Sequence, residues 1–126
     1  MMTSLMCMAV AVFFEARGEP QAGQMAVAQV IMNRLADQRY PDDVCGVVFE
    51  NKQFSFANAG GSFDLPDTQA ARGALEVAQD FMDGETYPIN ATHYHTRAVS
   101  PVWRHAFKLE SAIGAHVFYI NDTQYK

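Results

Sequence analysis

The chain has 126 residues and a formal net charge of -5, with 49% hydrophobic and 18% charged residues. This length and composition are typical of one globular domain and exclude a largely disordered protein. The acidic balance and the absence of a basic block in the sequence argue against a nucleic-acid partner.

An apolar run over residues 5–14 opens the chain and predicts a helix over residues 2–17, ended by Gly18. Apolar residues cover nearly the whole circumference of this helix, which predicts that other elements enclose it. The run has ten residues, whereas a bilayer span needs about 20. Residues 1–4 carry no Lys or Arg, so we recognise no signal peptide and predict no transmembrane segment.

Three further helices are predicted from capping residues and apolar periodicity. They run from Pro20 to about residue 36 or 37, over residues 44–49, and from Asp67 or Thr68 to about residue 83. In the last of these helices, the expected buried stripe is Ala71, Leu75, Ala78 and Met82.

The second half of the chain changes to strand patterns. Residues 92–97 and 115–120 are predicted strands, residues 53–56 a further short strand, and residues 58–66 a loop. Helices followed by strands predict an α+β fold, in which N-terminal helices pack with a small antiparallel sheet. We expect one domain over residues 1–126.

Glu15 ends the apolar run and is the candidate catalytic residue. Burying a carboxylate beside hydrocarbon is costly unless the group is protonated or paired. A carboxylic acid that stays protonated at neutral pH can serve as a general acid. The alternative is a structural carboxylate that holds Arg17 or a helix N-terminus.

The histidines raise the question of a metal site. His93 and His95 share one face of a predicted strand, with Tyr94 on the other face. His105 and His116 follow in the sequence, so a histidine site is conceivable. Because no Asp, Glu or Cys joins this segment at ligand spacing, we expect no metal and no cofactor.

Two other features have structural interpretations. Glu19 stands just before a helix start, where the helix dipole favours a negative charge. Cys7 and Cys45 could pair, but Cys7 lies within the apolar helix and neither cysteine shows metal spacing, so two free thiols are favoured.

Several motifs stand out together between about residue 5 and residue 119. The first block is Glu15-Ala16-Arg17-Gly18-Glu19-Pro20, followed by Gly23-Gln24, Ala26-Val27-Ala28, Val30-Ile31 and Asn33-Arg34. The later blocks are Tyr40-Pro41, Val47-Val48, Gln53-Phe54-Ser55, Ala91-Thr92-His93-Tyr94, Pro101-Val102-Trp103 and Ile113-Gly114-Ala115-His116-Val117-Phe118-Tyr119.

Together these motifs resemble the cell wall hydrolase family typified by spore-cortex-lytic enzymes. The resemblance implies a lysozyme-like α+β fold and cleavage of the peptidoglycan strand between N-acetylmuramic acid and N-acetylglucosamine. It also implies a lytic transglycosylase in which Glu15 acts first as acid and then as base, which gives 1,6-anhydro ends. Hydrolysis by the common routes needs a second carboxylate at ~5 Å or ~6.5–9.5 Å. No second acidic residue stands in an obviously catalytic motif, which fits a single catalytic Glu.

On the same resemblance, peptidoglycan glycan strands are the partner and a monomer is expected, acting in the cell wall or periplasm. A phage lysis enzyme, an isolated domain and a protein exported by another route all fit. The expected substrate-binding residues are Gln24, Asn33, Gln53, Phe54, Ser55, His93, Tyr94, Trp103 and Tyr119.

Three other functions stay open at this point. One is a hydrolytic muramidase, and another is a metal-dependent peptidoglycan amidase or peptidase that uses His93, His95 and His105 or His116. The third is a non-catalytic module in which aromatic rings grip sugar and Glu15 is structural.

Overall fold

The computed structural model describes residues 2–50 and 65–122. In these ranges the helices come first and the strands follow, so the predicted α+β order is confirmed. The helices are α1 (Ser4–Ala16), α2 (Gln21–Leu35), α3 (Val44–Phe49) and α4 (Gln69–Met82), with a 3₁₀ helix at Val102–His105. The strands are β1 (His93–Thr96), β2 (Lys108–Ile113) and β3 (His116–Ile120).

One strand of the sheet, β2, was not predicted, and two predicted elements lie wholly or mostly outside the described residues. The predicted strand at residues 53–56 and most of the predicted loop at residues 58–66 lie outside the described residues. Sequence reasoning missed β2, whose polar and apolar residues do not alternate cleanly. The pairing of β2 with β3 is irregular between Leu109 and Ser111, which disturbs the alternation that a regular strand would show.

Helix α1 forms the centre of the core, as its apolar circumference predicts. Every residue from Cys7 to Phe13 is buried, and α1 packs against α2, α3 and α4. At its start, the Thr3 hydroxyl accepts a hydrogen bond from the Met6 N–H at 3.2 Å. Within the described ranges, no helix has the length and apolarity needed to cross a membrane.

Cys7 and Cys45 form a disulfide that ties α1 to α3, so the expectation of two free thiols was wrong. The burial of Cys7 suggested an inert thiol, but α3 folds back against α1. This packing brings the two Cα atoms to 5.3 Å, within the usual range for a disulfide. The pairing depends on tertiary contacts that the spacing of two cysteines does not reveal.

The buried face of α4 also differs from the predicted stripe. Leu75 is 37% exposed and Met82 is half-buried. Packing against α1 selects a neighbouring face that carries Val77 and Phe81. The buried residues are Ala71, Ala74, Val77, Ala78 and Phe81.

The three strands form an antiparallel sheet in the order β1-β3-β2. Tyr94 pairs with Phe118, and Phe118 is fully buried in a cluster that includes residues of α2. Side chains alternate across a strand, so His116 shares the helix-facing side with Tyr94 and Phe118. His93, His95 and Tyr119 lie on the opposite side of the sheet.

Candidate functional site

Glu15 lies in the last turn of α1, where the core helix reaches the surface. Its side chain is half-buried, whereas the α1 residues up to Phe13 are buried. The Tyr94 hydroxyl on β1 donates a hydrogen bond to Glu15 Oε1 at 2.9 Å. The structure therefore brings together two residues that sequence reasoning assigned to the site, one as the catalytic acid and one as a substrate contact.

The environment of Tyr94 keeps its phenol protonated. Burial raises the pKa of Tyr94 well above the usual value for tyrosine, and the charge and hydrogen bond of Glu15 raise that pKa further. Arg34 acts in the opposite direction. Tyr94 is therefore a persistent hydrogen-bond donor to the Glu15 side chain at neutral pH.

Glu19 links the α1–α2 junction to the turn between β2 and β3. Its Oε1 accepts a hydrogen bond from the Ala115 N–H at 2.8 Å. The Gln24 side chain donates to the Glu19 backbone carbonyl at 3.1 Å. These contacts give Glu19 a structural role, with a partner 96 residues away that sequence reasoning did not identify.

Gly114 makes this link possible. Its φ is +57°, in the left-handed region that favours glycine. A Cβ at this position would also overlap Glu19 Oε1. The turn therefore needs glycine both for its backbone conformation and for the close approach of the glutamate.

His116 lies beside Tyr94, although sequence reasoning did not count it among the catalytic or substrate-binding residues. Its side chain is 3% exposed, and its ring centroid lies 5.0 Å from that of Tyr94. Burial lowers the pKa of His116, although the nearby Glu19 and Glu15 carboxylates raise it. The alternation along β3 is the sequence signal that places His116 on the same side as Phe118, and the register of β1 with β3 puts Tyr94 on that side too.

Asn33 and Arg34 hold the segment that leads into β1. The Asn33 amide donates to the carbonyls of Ile89 and Ala91, at 3.1 and 2.9 Å. The buried Arg34 donates through Nε to the Thr92 carbonyl at 2.7 Å. The Asn-Arg pair thereby positions the strand that carries Tyr94.

Two predicted substrate-binding residues on α2 thus make contacts within the protein. Gln24 binds the backbone of Glu19, and Asn33 binds the segment before β1. A substrate contact for either residue stays a prediction. Gln53, Phe54 and Ser55 lie outside the described residues.

Three further predicted residues, His93, Trp103 and Tyr119, come together on the side of the sheet opposite to Tyr94. The ring centroid of Trp103 lies 5.2 Å from that of His93 and 5.3 Å from that of Tyr119. His95 joins them through a 2.9 Å contact between its Nε2 and the Tyr119 hydroxyl. This aromatic group does not share the sheet face of Tyr94, and its contact with substrate stays a prediction.

The histidines do not converge on one point. His93 and His95 share a face as predicted, but His116 lies on the other face and His105 is exposed. Across residues 2–50 and 65–122, no group of three His, Cys, Asp or Glu side chains is arranged to hold a metal ion. The structure therefore offers no observation that favours the metal-dependent alternative.

Comparison with known sequences agrees with this architecture. The model of the cell wall hydrolase family matches residues 18–119, and Glu15 lies just before this range. The spore cortex-lytic enzymes of Halalkalibacterium halodurans and Oceanobacillus iheyensis are 39% and 40% identical over 113 and 112 residues. Each alignment covers 88% of this chain but only 33% and 39% of the relative, so the chain spans little more than a third of their length.

Two solved structures resemble this chain over most of its length. The catalytic domain of the germination-specific lytic transglycosylase SleB from Bacillus anthracis has a TM-score of 0.79 and 32% identity, and the match covers 92% of this chain and 93% of that domain. The catalytic domain of Bacillus cereus SleB has a TM-score of 0.73 and 32% identity, covering 92% and 88%. Most of the fold thus has a counterpart in solved catalytic domains.

Proposed function

The chain belongs to the cell wall hydrolase family, and from this premise we propose that it is a lytic transglycosylase with Glu15 as its single catalytic acid and base. Its substrate is the glycan strand of peptidoglycan, cut between N-acetylmuramic acid and N-acetylglucosamine. The similarity to SleB catalytic domains supports the reaction class. This substrate places the action of the protein at the cell wall.

The observation that carries the proposal is the hydrogen bond between Tyr94 and Glu15. Glu15 sits at the end of a rigid buried helix, half-buried, with the phenol 2.9 Å from one carboxylate oxygen. A catalytic acid needs a fixed position and access to its substrate. The hydrogen bond to Tyr94 restrains Glu15, and its side chain is not fully enclosed by the protein. A module that only bound glycan would have no need to anchor one carboxylate in this way.

The reaction proceeds in two proton transfers at one carboxyl group. Glu15 first gives its proton to the glycosidic oxygen as the bond from C1 of the muramoyl residue to that oxygen breaks, which releases the N-acetylglucosamine end with a free hydroxyl. The Glu15 carboxylate then takes the proton of the muramoyl 6-hydroxyl, whose oxygen bonds to C1. The product is a 1,6-anhydro ring, no water is consumed, and Glu15 regains its proton.

Tyr94 has a defined part in this cycle. Between the two transfers Glu15 is an anion, and a hydrogen bond to an ionised acceptor is stronger than one to a neutral acceptor. The phenol therefore stabilises the carboxylate when it must act as base. It also restrains the rotation of the carboxyl group.

The setting of Glu19 supports a mechanism with one carboxylate. The Glu19 side chain is engaged by the Ala115 N–H and lies beside the buried His116. Hydrolysis by the common routes needs a second carboxylate to act as nucleophile or to activate water. A hydroxyl supplied by the substrate removes that requirement.

Product analysis of Glu15→Gln against the wild type tests the proposal. On purified peptidoglycan the wild type should release 1,6-anhydro-ended fragments, detected by mass spectrometry. The variant should fold normally and lose about 10²-fold or more in rate, as expected for removal of an essential acid.

Glu76→Gln is the matched control, because Glu76 is exposed on α4. This variant should cleave at the wild-type rate. Full activity of Glu15→Gln would overturn the assignment of the catalytic residue. Reducing ends in place of anhydro ends would show that the reaction is hydrolysis.

A further inference from the structure

His116 packs against the ring of Tyr94, whose hydroxyl donates to Glu15. Its ring and that of Tyr94 are nearly perpendicular, with an interplanar angle of 85° and centroids 5.0 Å apart. His116 Nδ1 also lies 3.8 Å from Glu19 Oε1. His116 is therefore close to both Glu19 and Tyr94, and Tyr94 in turn donates to Glu15.

A histidine at this buried position lowers the stability of the fold in a way that a purely apolar residue would not. The side chain is buried, and among the described residues Nδ1 has no hydrogen-bond partner. Buried polar atoms are normally satisfied, and an unpaired one is destabilising. The distance to Glu19 is longer than a hydrogen bond, but a movement of less than about 1 Å would form one.

Burial favours a neutral His116 ring. Burial lowers its pKa, and the neighbouring His95 lowers it further, whereas the Glu19 and Glu15 carboxylates act in the opposite direction. A neutral imidazole packs beside the phenol without placing a cation next to Glu15. It also keeps one ring nitrogen protonated, which can donate toward Glu19.

We propose that His116 is a positioning residue: backed by Glu19, its ring holds the Tyr94 phenol in the orientation that donates to Glu15. The inference rests on the proposed role of Glu15 as acid and base. In this role, His116 does not contact the substrate or the Glu15 carboxyl group and acts only through Tyr94. Its contribution should therefore vanish when the Tyr94 hydroxyl is absent.

A double-mutant cycle with His116→Gln and Tyr94→Phe tests this dependence. The assay follows anhydro-ended products from soluble glycan oligosaccharides, so that kcat and KM are measured separately. In the wild-type background, His116→Gln should lower kcat about fivefold or more and change KM by less than about twofold. In the Tyr94→Phe background, the same substitution should change kcat by less than about twofold.

His105→Gln is the matched control, because His105 is exposed. It should leave kcat unchanged in both backgrounds. Wild-type kcat in His116→Gln would overturn the inference, as would a loss of kcat that persists in full in the Tyr94→Phe background. Circular dichroism and thermal unfolding establish that the variants are folded.

If His116→Gln does not fold, Glu19→Gln replaces it in the same cycle. This variant keeps an oxygen that can accept from the Ala115 N–H and removes the charge beside His116. The same changes in kcat are then expected, about fivefold or more in the wild-type background and less than about twofold in the Tyr94→Phe background. A Glu15→Gln variant with full activity would overturn the proposed function itself. If Glu15→Gln is inactive but the effects of the His116 and Tyr94 substitutions on kcat are additive, only the positioning role of His116 is overturned.

Discussion

The Tyr94 hydroxyl donates to Glu15 Oε1 at 2.9 Å and joins the last turn of α1 to β1 across 79 residues. The two ends of this contact are positioned independently. Glu15 is fixed by the buried helix behind it, and Tyr94 by the register of β1 with β3 and by the Asn33 and Arg34 contacts. This hydrogen bond thus connects the helical core to the sheet at the Glu15 carboxyl group.

Tyr94→Phe should lower kcat about 10-fold while the fold is retained. The ring would keep its packing against His116 and Phe118, but Glu15 would lose a donor. A hydrogen bond to a charged group contributes about 1.5–3 kcal/mol, and 1.4 kcal/mol corresponds to a factor of about 10 in rate. The measurement is kcat for anhydro-ended product, with Tyr87→Phe as control. Equal kcat for the wild type and Tyr94→Phe would show that the hydrogen bond has no part in the reaction.

Reduction of the disulfide should destabilise the protein without a change in sequence. The Cys7–Cys45 bond closes a loop with a sequence separation of 38. The loop-closure model assigns such a cross-link about 4 kcal/mol of free energy of unfolding. Urea unfolding with and without a thiol reductant measures the difference. The Cys7→Ala/Cys45→Ala variant should give the same midpoint under both conditions, and identical midpoints for the wild type would contradict the cross-link.

The helices were predictable because each carries local signals. Thr68 caps α4 through its side chain, and Gly18 follows α1 with a φ of +83°. Such caps and stops act over a few residues, so they can be recognised in the sequence. The stripe of α4 was less predictable, because Leu75 and Val77 are both apolar and only packing against α1 selects between their faces.

Contacts between distant residues were not predictable from local patterns. Strand β2 depends on its pairing with β3, and the disulfide depends on how α3 packs against α1. The catalytic candidate Glu15 was identifiable from its chemical setting and from the family resemblance. Its partner Tyr94 and the more distant His116 could be assigned only once the register of the sheet was known.

His93 should make the stability of the protein depend on pH between about 4 and the ordinary histidine value of 6.5. Burial lowers the pKa of His93 to about 4, with further lowering by the charges of Arg34 and Arg39. The unfolded chain therefore binds a proton at a higher pH than the folded chain does. The contribution of His93 is complete above pH 6.5 and is lost as the pH falls toward about 4.

His93→Phe tests this dependence, because it retains a ring against Trp103 and Phe107 and removes the titrating group. The free energy of unfolding, measured by urea titration at several pH values, should fall less steeply on acidification than in the wild type. His105→Gln should follow the wild-type curve, since His105 is exposed. Parallel curves for the wild type and His93→Phe would assign the acid sensitivity to other groups.

Gly114→Ala and Gly73→Ala should change stability in opposite directions. Gly114 has a φ of +57°, which costs another residue about 1–2 kcal/mol, and the added methyl group would also displace Glu19. Gly73 lies within α4 with open space around an added Cβ, so alanine should stabilise the helix by about 0.5–1 kcal/mol. Urea unfolding at neutral pH compares both variants with the wild type. A Gly114→Ala variant as stable as the wild type would mean that neither the turn nor the position of Glu19 requires glycine.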